Sequence, residues 1–466
     1  MGLFDRIFGK SETNTTAQPS GIPPAPGNGS GHATTAPYAG LEGIRFGRYN
    51  DNNKSYAQTQ QWRLAEDLYK EKKYKEANAA FFAYISNDKE QNVAFEQEGE
   101  TFRFELKQGS KRVYGASDGQ TMVAHVPIAL METSGVAVMR RLLDLNYNLY
   151  YSRCAMNEAN ELCMLLDFTI PMASPDKLYY GLRELATRAD RLDDQLLNDF
   201  AKLKPANDEH IQEIPSKELD IKYAYFRKWV EETLKLTEGL NPDSFSGAIA
   251  YLMLTFLYRV EFLLVPEGNL LSELEKISAL YWIKKEEVPL IERNKLMKDA
   301  IAKLPDITKE QFKAGIYRTT ATFAVTSPTV YDKLRENISG ANRDATWYVE
   351  NKYPEIALVL NEYGVVYNQF QYSTPLVLKE LSTVYMAVVH AAFFTELGMM
   401  VPFYNPATKE FNRPQIEEAV NNAINSLPDK YENLHWDHSK VRYDSVFDFG
   451  ISFTNQMMNL NLDLKK

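Results

Sequence analysis

The sequence predicts an α+β protein: an antiparallel sheet with flanking helices, followed by a large all-helical domain. Apolar residues alternate with a period of two between residues 93 and 168, and they recur every three to four residues from 219 onward. Between the two regimes lies a polar, proline-marked stretch, KLKPANDEHIQEIPSKE. The 466 residues, 44% hydrophobic and 24% charged, suffice for two or three cores that fold without disulfides or metals.

The chain opens MGLFDRIFGKSE. Its Gly9-Lys10-Ser11 resembles the end of a phosphate-binding loop, but Phe4 stands where the first glycine of that loop must turn, so a nucleotide site is not expected. Leu3, Phe4, Ile7 and Phe8 share one face of a short amphipathic helix spanning 1–10. Residues 13–41 contain no Asp, Glu, Lys or Arg and five prolines, so 11–50 is expected to be a disordered linker. The tip is thereby an anchor on a tether, for a protein partner or, more weakly, a membrane surface.

Next, WRLAEDLYKEKKYKEANAAFFAYISND spaces Leu68, Tyr74, Ala77, Phe81 and Ile85 as in two short packed helices, a hairpin over 55–88. It resembles a single tetratricopeptide repeat, and with no second copy to stack on it is expected to pack on the adjoining α/β unit. Three strands come next, through Val93 and Phe95, through Phe102, Phe104 and Leu106, and through Met122, Ala124, Val126 and Ile128. A helix over 136–145 is expected, with Ser134 as its cap and Val136, Met139, Leu142 and Leu143 facing inward. The stretch YYSRCAMNEANELCMLLDF reads as a hairpin turning at 157–160. With its loop centred between Glu158 and Ala159, Met156 pairs with Glu161 and Cys154 lies opposite Cys163, close enough for mild oxidant to bridge them. A long helix opens at Ser174-Pro175-Asp176 and buries Leu178, Leu182, Leu185, Ala189, Leu192 and Leu196.

This order of elements, with LLDLNYNLYYSRCAMNEANELCMLLDF at its centre, resembles the fold shared by small type III secretion chaperones and YbjN-like proteins. In that family a Leu-Leu-x-x-Asn helix end, here Leu142 to Asn146, leads into a strand pair and then a long helix. The resemblance covers about residues 92–200. It implies a fold that forms homodimers and holds segments of client proteins against apolar grooves, without an active site. Leu142, Leu143 and Leu145 join the opening peptide as the expected partner-binding residues. The α/β domain is placed at 92–203.

Residues 216–466 read as a domain of eight to ten helices. The segments EIALVLNEYGVVYNQF and PLVLKELSTVYMAVVHAAFFTELG are apolar nearly all round and suit the centre of a bundle, the second capped by Thr374 with Pro375 first in the helix. The stretch 247–265 is nearly apolar enough to span a membrane, yet Arg259 and Glu261 suit a buried soluble helix better.

A net charge of −10 with no basic stripe argues against nucleic acid. Two cysteines fit a reducing cytoplasm. His435 and His438 are the densest pair of metal-ligand types but lack further ligands at a diagnostic spacing, so neither metal nor cofactor is expected. His125 and His390 are expected to make local hydrogen bonds. The acidic run Asp190-Arg191-Leu192-Asp193-Asp194 is expected to face water. No catalytic motif stands out. The expected function is non-enzymatic binding of protein clients or assembly components, in the manner of a chaperone or adaptor and linked by the resemblance to secretion. The alternatives are an enzyme with its site assembled among the C-terminal helices, or a structural subunit of a larger assembly.

Overall fold

The computed structural model describes residues 36–133, 135–206 and 210–465. The opening peptide, with Leu3, Phe4, Ile7, Phe8 and the Gly9-Lys10-Ser11 stretch, lies outside them, as does Ser134.

A capping box at Ser55 and Gln58 starts α1 (Tyr56–Lys70), which pairs with α2 (Tyr74–Ile85). Four strands come next where three were expected: β1 (Val93–Glu98), β2 (Thr101–Gln108), β3 (Lys111–Ser117) and β4 (Thr121–Leu130). After α3 (Val136–Asn146) come β5 (Arg153–Met156), β6 (Glu161–Thr169), α4 (Pro175–Asp199) and the short β7 (Lys204–Pro205). The sheet is antiparallel, in the order β1-β2-β3-β4-β6-β5, with β7 also on β4. Even-numbered residues of β2, β4 and β6 point to one face, where Phe104, Met122, Val126, Met164 and Leu166 meet Leu178, Leu182, Leu185 and Ala189 of α4 in a single core. The Ser174 hydroxyl caps α4 with Pro175 at its first position, as expected.

The β5–β6 hairpin forms one residue out of the expected register. Asn157 N–H donates to the Glu161 carbonyl, its side chain accepts from Ala159 and Glu161 N–H, and Asn160 adopts a left-handed φ of 61°. The result is a three-residue loop instead of a two-residue one. Cys154 therefore pairs with Met164 and Cys163 with Ala155, which places the two thiols on opposite faces.

The helical region comprises α5 (Ser216–Glu238), α6 (Pro242–Leu264), α7 (Gly268–Tyr281), α8 (Leu290–Ile301), α9 (Lys309–Ala314), α10 (Tyr331–Glu350), α11 (Pro354–Gln371), α12 (Leu376–Val389), α13 (Ala391–Leu397), α14 (Arg413–Ile424) and α15 (Val446–Met458). Two small ribbons interrupt it: β8 (Gln212–Glu213) with β9 (Tyr317–Arg318), and β10 (Tyr404–Asn405) with β11 (Glu410–Phe411). Pro375, not Thr374, occupies the N-cap of α12, because the Thr374 hydroxyl donates to Gln369 instead. Helix α6 is long and apolar enough to cross a membrane, but 89% of its apolar window is buried inside the protein. Its two charges are matched there: Arg259 donates to both carboxylate oxygens of Glu362 at 2.7 and 2.8 Å, and Glu261 pairs with Arg48.

Arg48 belongs to the stretch expected to end the linker. Residues 36–50 instead line the helical core: Leu41 and Phe46 are buried in it, Gly47 N–H donates to the Phe262 carbonyl at 2.7 Å, and Asn50 bonds Thr374 and Ser373. Two aromatic or aliphatic anchors and one buried charge pair are enough to hold a segment whose composition otherwise reads as spacer.

Candidate functional site

Helix α3 rests on the sheet by a narrow footing. Val138 and Leu142 are buried, while Met139 and Leu145 pack partly against the core. The inward face was expected to include Val136 and Leu143; they point out instead, 88% and 67% exposed. With Arg140 and Tyr147 they form one stripe at spacings of three and four. Of the predicted partner-binding leucines, Leu143 is thus available, Leu145 is half-covered, and Leu142 is unavailable because it fills the sheet core.

The chain after α3 extends this surface. Tyr147 is 92% and Tyr150 91% exposed. The backbone at 150–152 is held by a specific device: the Glu184 carboxylate of α4 accepts N–H bonds from Tyr150, Tyr151 and Ser152 at 3.0, 2.9 and 2.8 Å, plus the Ser152 hydroxyl at 2.8 Å. Burial raises the Glu184 pKa, and those donors more than offset it, so the carboxyl stays below its ordinary value and charged. Asn146, the asparagine of the Leu-Leu-x-x-Asn pattern, accepts from Cys154 N–H at 2.6 Å and locks the end of α3 to β5. Sequence reasoning missed Tyr147, Tyr150 and Glu184; three tyrosines packed into a helix-to-strand connection, where polar turn residues are the norm, was the available signal.

A second feature lies between the sheet unit and the helices. A cavity of about 920 Å³ is walled by α4, the β2–β3 turn, the α6–α7 connection, β9 and residues 38–50. The acidic run of α4, expected to face water, enters this joint because α4 is packed on both flanks. Asp190 accepts Ser110 N–H at 2.7 Å, and Asp193 accepts the fully buried Lys111 ammonium at 2.7 Å. Gly109 has a φ of +55°, and a Cβ there would run into the Asp190 carboxylate. From the helical side Glu267 accepts the Thr319 hydroxyl at 3.1 Å, and Arg48 bridges Glu261 and Glu275. Burial pushes the carboxyls of Asp190 up to about 7 and of Asp194, Glu261 and Glu267 to about 8; mutual repulsion adds to this, while Arg48 opposes it at Glu261.

The histidines are placed as parts of the frame. His390 Nε2 lies 3.1 Å from a Glu362 carboxylate oxygen, beside Trp229, and burial lowers its pKa. Burial likewise drives His125 to about 4. His438 contacts Asn421 at 2.9 Å, and His435 is exposed. Among the described residues no group of three or more His, Cys, Asp and Glu is placed to hold a metal ion. No protein-family model matches the chain, and a search of curated proteins returns no match.

Proposed function

We propose that this protein is a chaperone- or adaptor-like binder of other polypeptides, and that the outward face of α3 with the Tyr147–Tyr150 connection is its docking surface. The observation that carries the reading is that connection: Glu184 devotes four hydrogen bonds to holding a loop whose tyrosines touch water. Large apolar groups displayed side by side on a rigid element mark interaction sites. The stripe interleaves Arg140 with Val136, Leu143 and Tyr147, and Arg141 lies next to it. An amphipathic helical segment of a client, apolar on one face and flanked by acidic residues, complements that pattern. The resemblance of residues 92–200 to secretion chaperones supports the same class of partner.

The charged cavity favours a second reading, an enzyme or small-ligand pocket, because carboxyls with raised pKa gather in it. Asp190, Asp193, Glu261 and Glu267 are each committed to a donor at the joint, however, and structural ion networks shift pKa in the same way. Among the described residues Asp194 is the one of these raised carboxyls without such a donor, whereas Val136, Leu143, Tyr147 and Tyr150 are exposed side by side. Screening displayed helical peptides against the full chain tests it: acidic amphipathic sequences are expected to be selected, and the Leu143→Asp/Tyr147→Asp double variant to weaken them at least about tenfold. Equal retention by the native and variant proteins, or a loss confined to self-association, overturns the assignment.

A further inference from the structure

The helical region carries an open groove of about 1090 Å³ between α13, the β10–β11 ribbon and the start of α14. Its lining is partly apolar, with Met400, Val401, Pro402, Tyr404, Phe411 and Pro414, and partly charged, with Glu396, Lys409, Glu410 and Arg413. Met400 is 70% exposed on this wall. Met399 and Phe403 of the same loop are buried, so the exposure belongs to the groove and not to a frayed segment.

The chain enters the fold at this place. Met400 N–H donates to the Ala39 carbonyl at 2.9 Å, and the Tyr38 ring packs on Phe403 with centroids 5.3 Å apart. Gly40, with a φ of +92°, passes so close to Gly398 that a Cβ would strike its carbonyl. Thirty-five residues precede Ala36, and the apolar side chains Leu3, Phe4, Ile7 and Phe8 lie at their far end.

We propose that this groove is the docking site of the chain's own peptide 3–8. The separation between residue 8 and residue 36 is 27 residues, and a coil of that many residues would reach roughly 30 Å, ample for a groove that contacts residue 39. A tether of that length keeps the peptide at a local concentration on the order of millimolar, so even a weak apolar contact is occupied. The groove carries both signs, Glu396 and Glu410 against Lys409 and Arg413, and so does the peptide with Asp5, Arg6 and Lys10, so opposite charges can be paired as it lies down. The tip and the client surface are therefore separate contacts, and a membrane or partner that takes up the tip must first draw it out of the groove.

Photo-crosslinking in the full chain tests this. Benzoylphenylalanine replaces Phe8, equal amounts of unlabelled and ¹⁵N-labelled protein are mixed and irradiated, and the digest is analysed by mass spectrometry. Crosslinks are expected between peptides of the same isotope and within residues 400–414. Met400→Asp is expected to lower their yield about tenfold while leaving the thermal midpoint unchanged, since that side chain is largely solvent-exposed. Mixed-isotope crosslinks identify a second copy as the occupant and overturn the proposal. So do crosslinks that map to α3 or scatter without preference, and a yield that Met400→Asp does not change.

Discussion

Glu362 is the residue on which the helical core most depends electrostatically, and replacing it with Gln isolates that dependence. The side chain keeps its shape, but Arg259 becomes a buried cation without its carboxylate partner. Two routes give the size of the loss. Breaking a buried, hydrogen-bonded ion pair from one side costs about 3–5 kcal/mol. Independently, burial raises the Glu362 pKa but Arg259 and His390 outweigh it and hold it at about 2, against an ordinary 4.5; that difference corresponds to about 3 kcal/mol. A carboxylate depressed in this way contributes stability above its unfolded pKa and loses it as pH falls toward 2. Urea unfolding at pH 7, monitored by tryptophan fluorescence because Trp229 packs over Arg259 at 5.6 Å, is expected to show a loss of about 3 kcal/mol for Glu362→Gln. The gap from the native protein is expected to shrink between pH 5 and pH 3. The double variant Arg259→Met/Glu362→Leu, which removes both charges, is expected to recover most of the loss. A single variant within about 1 kcal/mol of the native protein, or a double variant no better than the single, refutes the assignment of the pair as a buried charge lock.

The joint carboxyls give the opposite pH behaviour. Their folded pKa is raised, so the folded state holds more protons than the unfolded between about pH 4 and 8 and stability falls as pH rises through that window; Asp190→Asn, which still accepts from Ser110, is expected to flatten the fall, and a urea midpoint series at pH 5, 6, 7 and 8 with parallel slopes in both proteins contradicts the placement of Asp190. For the cysteines, opposite faces and thiols pushed by burial to about 12 at Cys154 and about 11 at Cys163 predict resistance to mild oxidant in the folded state and ready bridging in urea; a native disulfide detected by mass spectrometry returns the hairpin to the two-residue loop.

Legibility in the sequence tracked physical simplicity. Helix α4 was readable to its cap, because one buried face, one Ser-Pro start and one amphipathic period all agree. Strand β3 was not, because KRVYGAS is buried on both sides: Lys111 is buried by its pairing with Asp193, and Gly115 is small because the Phe104 ring lies where its Cβ would be. The hairpin register turned on whether Asn160 adopts a left-handed conformation, which asparagine tolerates but does not announce. In α3 two apolar arcs overlap, one through Val138, Leu142 and Leu145 and one through Val136, Leu143 and Tyr147. Periodicity alone could not choose which faces the core, because either arc is apolar enough to fill it.

The same helix, α4, ties the proposed docking surface to the rest of the molecule. Its Glu184 fixes the tyrosine connection, its leucines fill the sheet core, and its Asp190 and Asp193, less than three turns further on, anchor the joint with the helical region. Because an α-helix packed along its length does not bend easily, the orientation of the tyrosines relative to α6 and α7 is fixed by α4. Cutting the chain between the units would leave Lys111 and Asp193 paired but would strip Asp190 and Asp194 of the low-dielectric wall that Glu267 and Tyr317 complete. Their pKa would return toward the ordinary carboxylate range, and α4 would gain negative charge near its C-terminus, where the helix dipole opposes it. The isolated sheet unit would thus lose helix order nearest the joint, and the geometry of its exposed tyrosine face is a property of the joined chain.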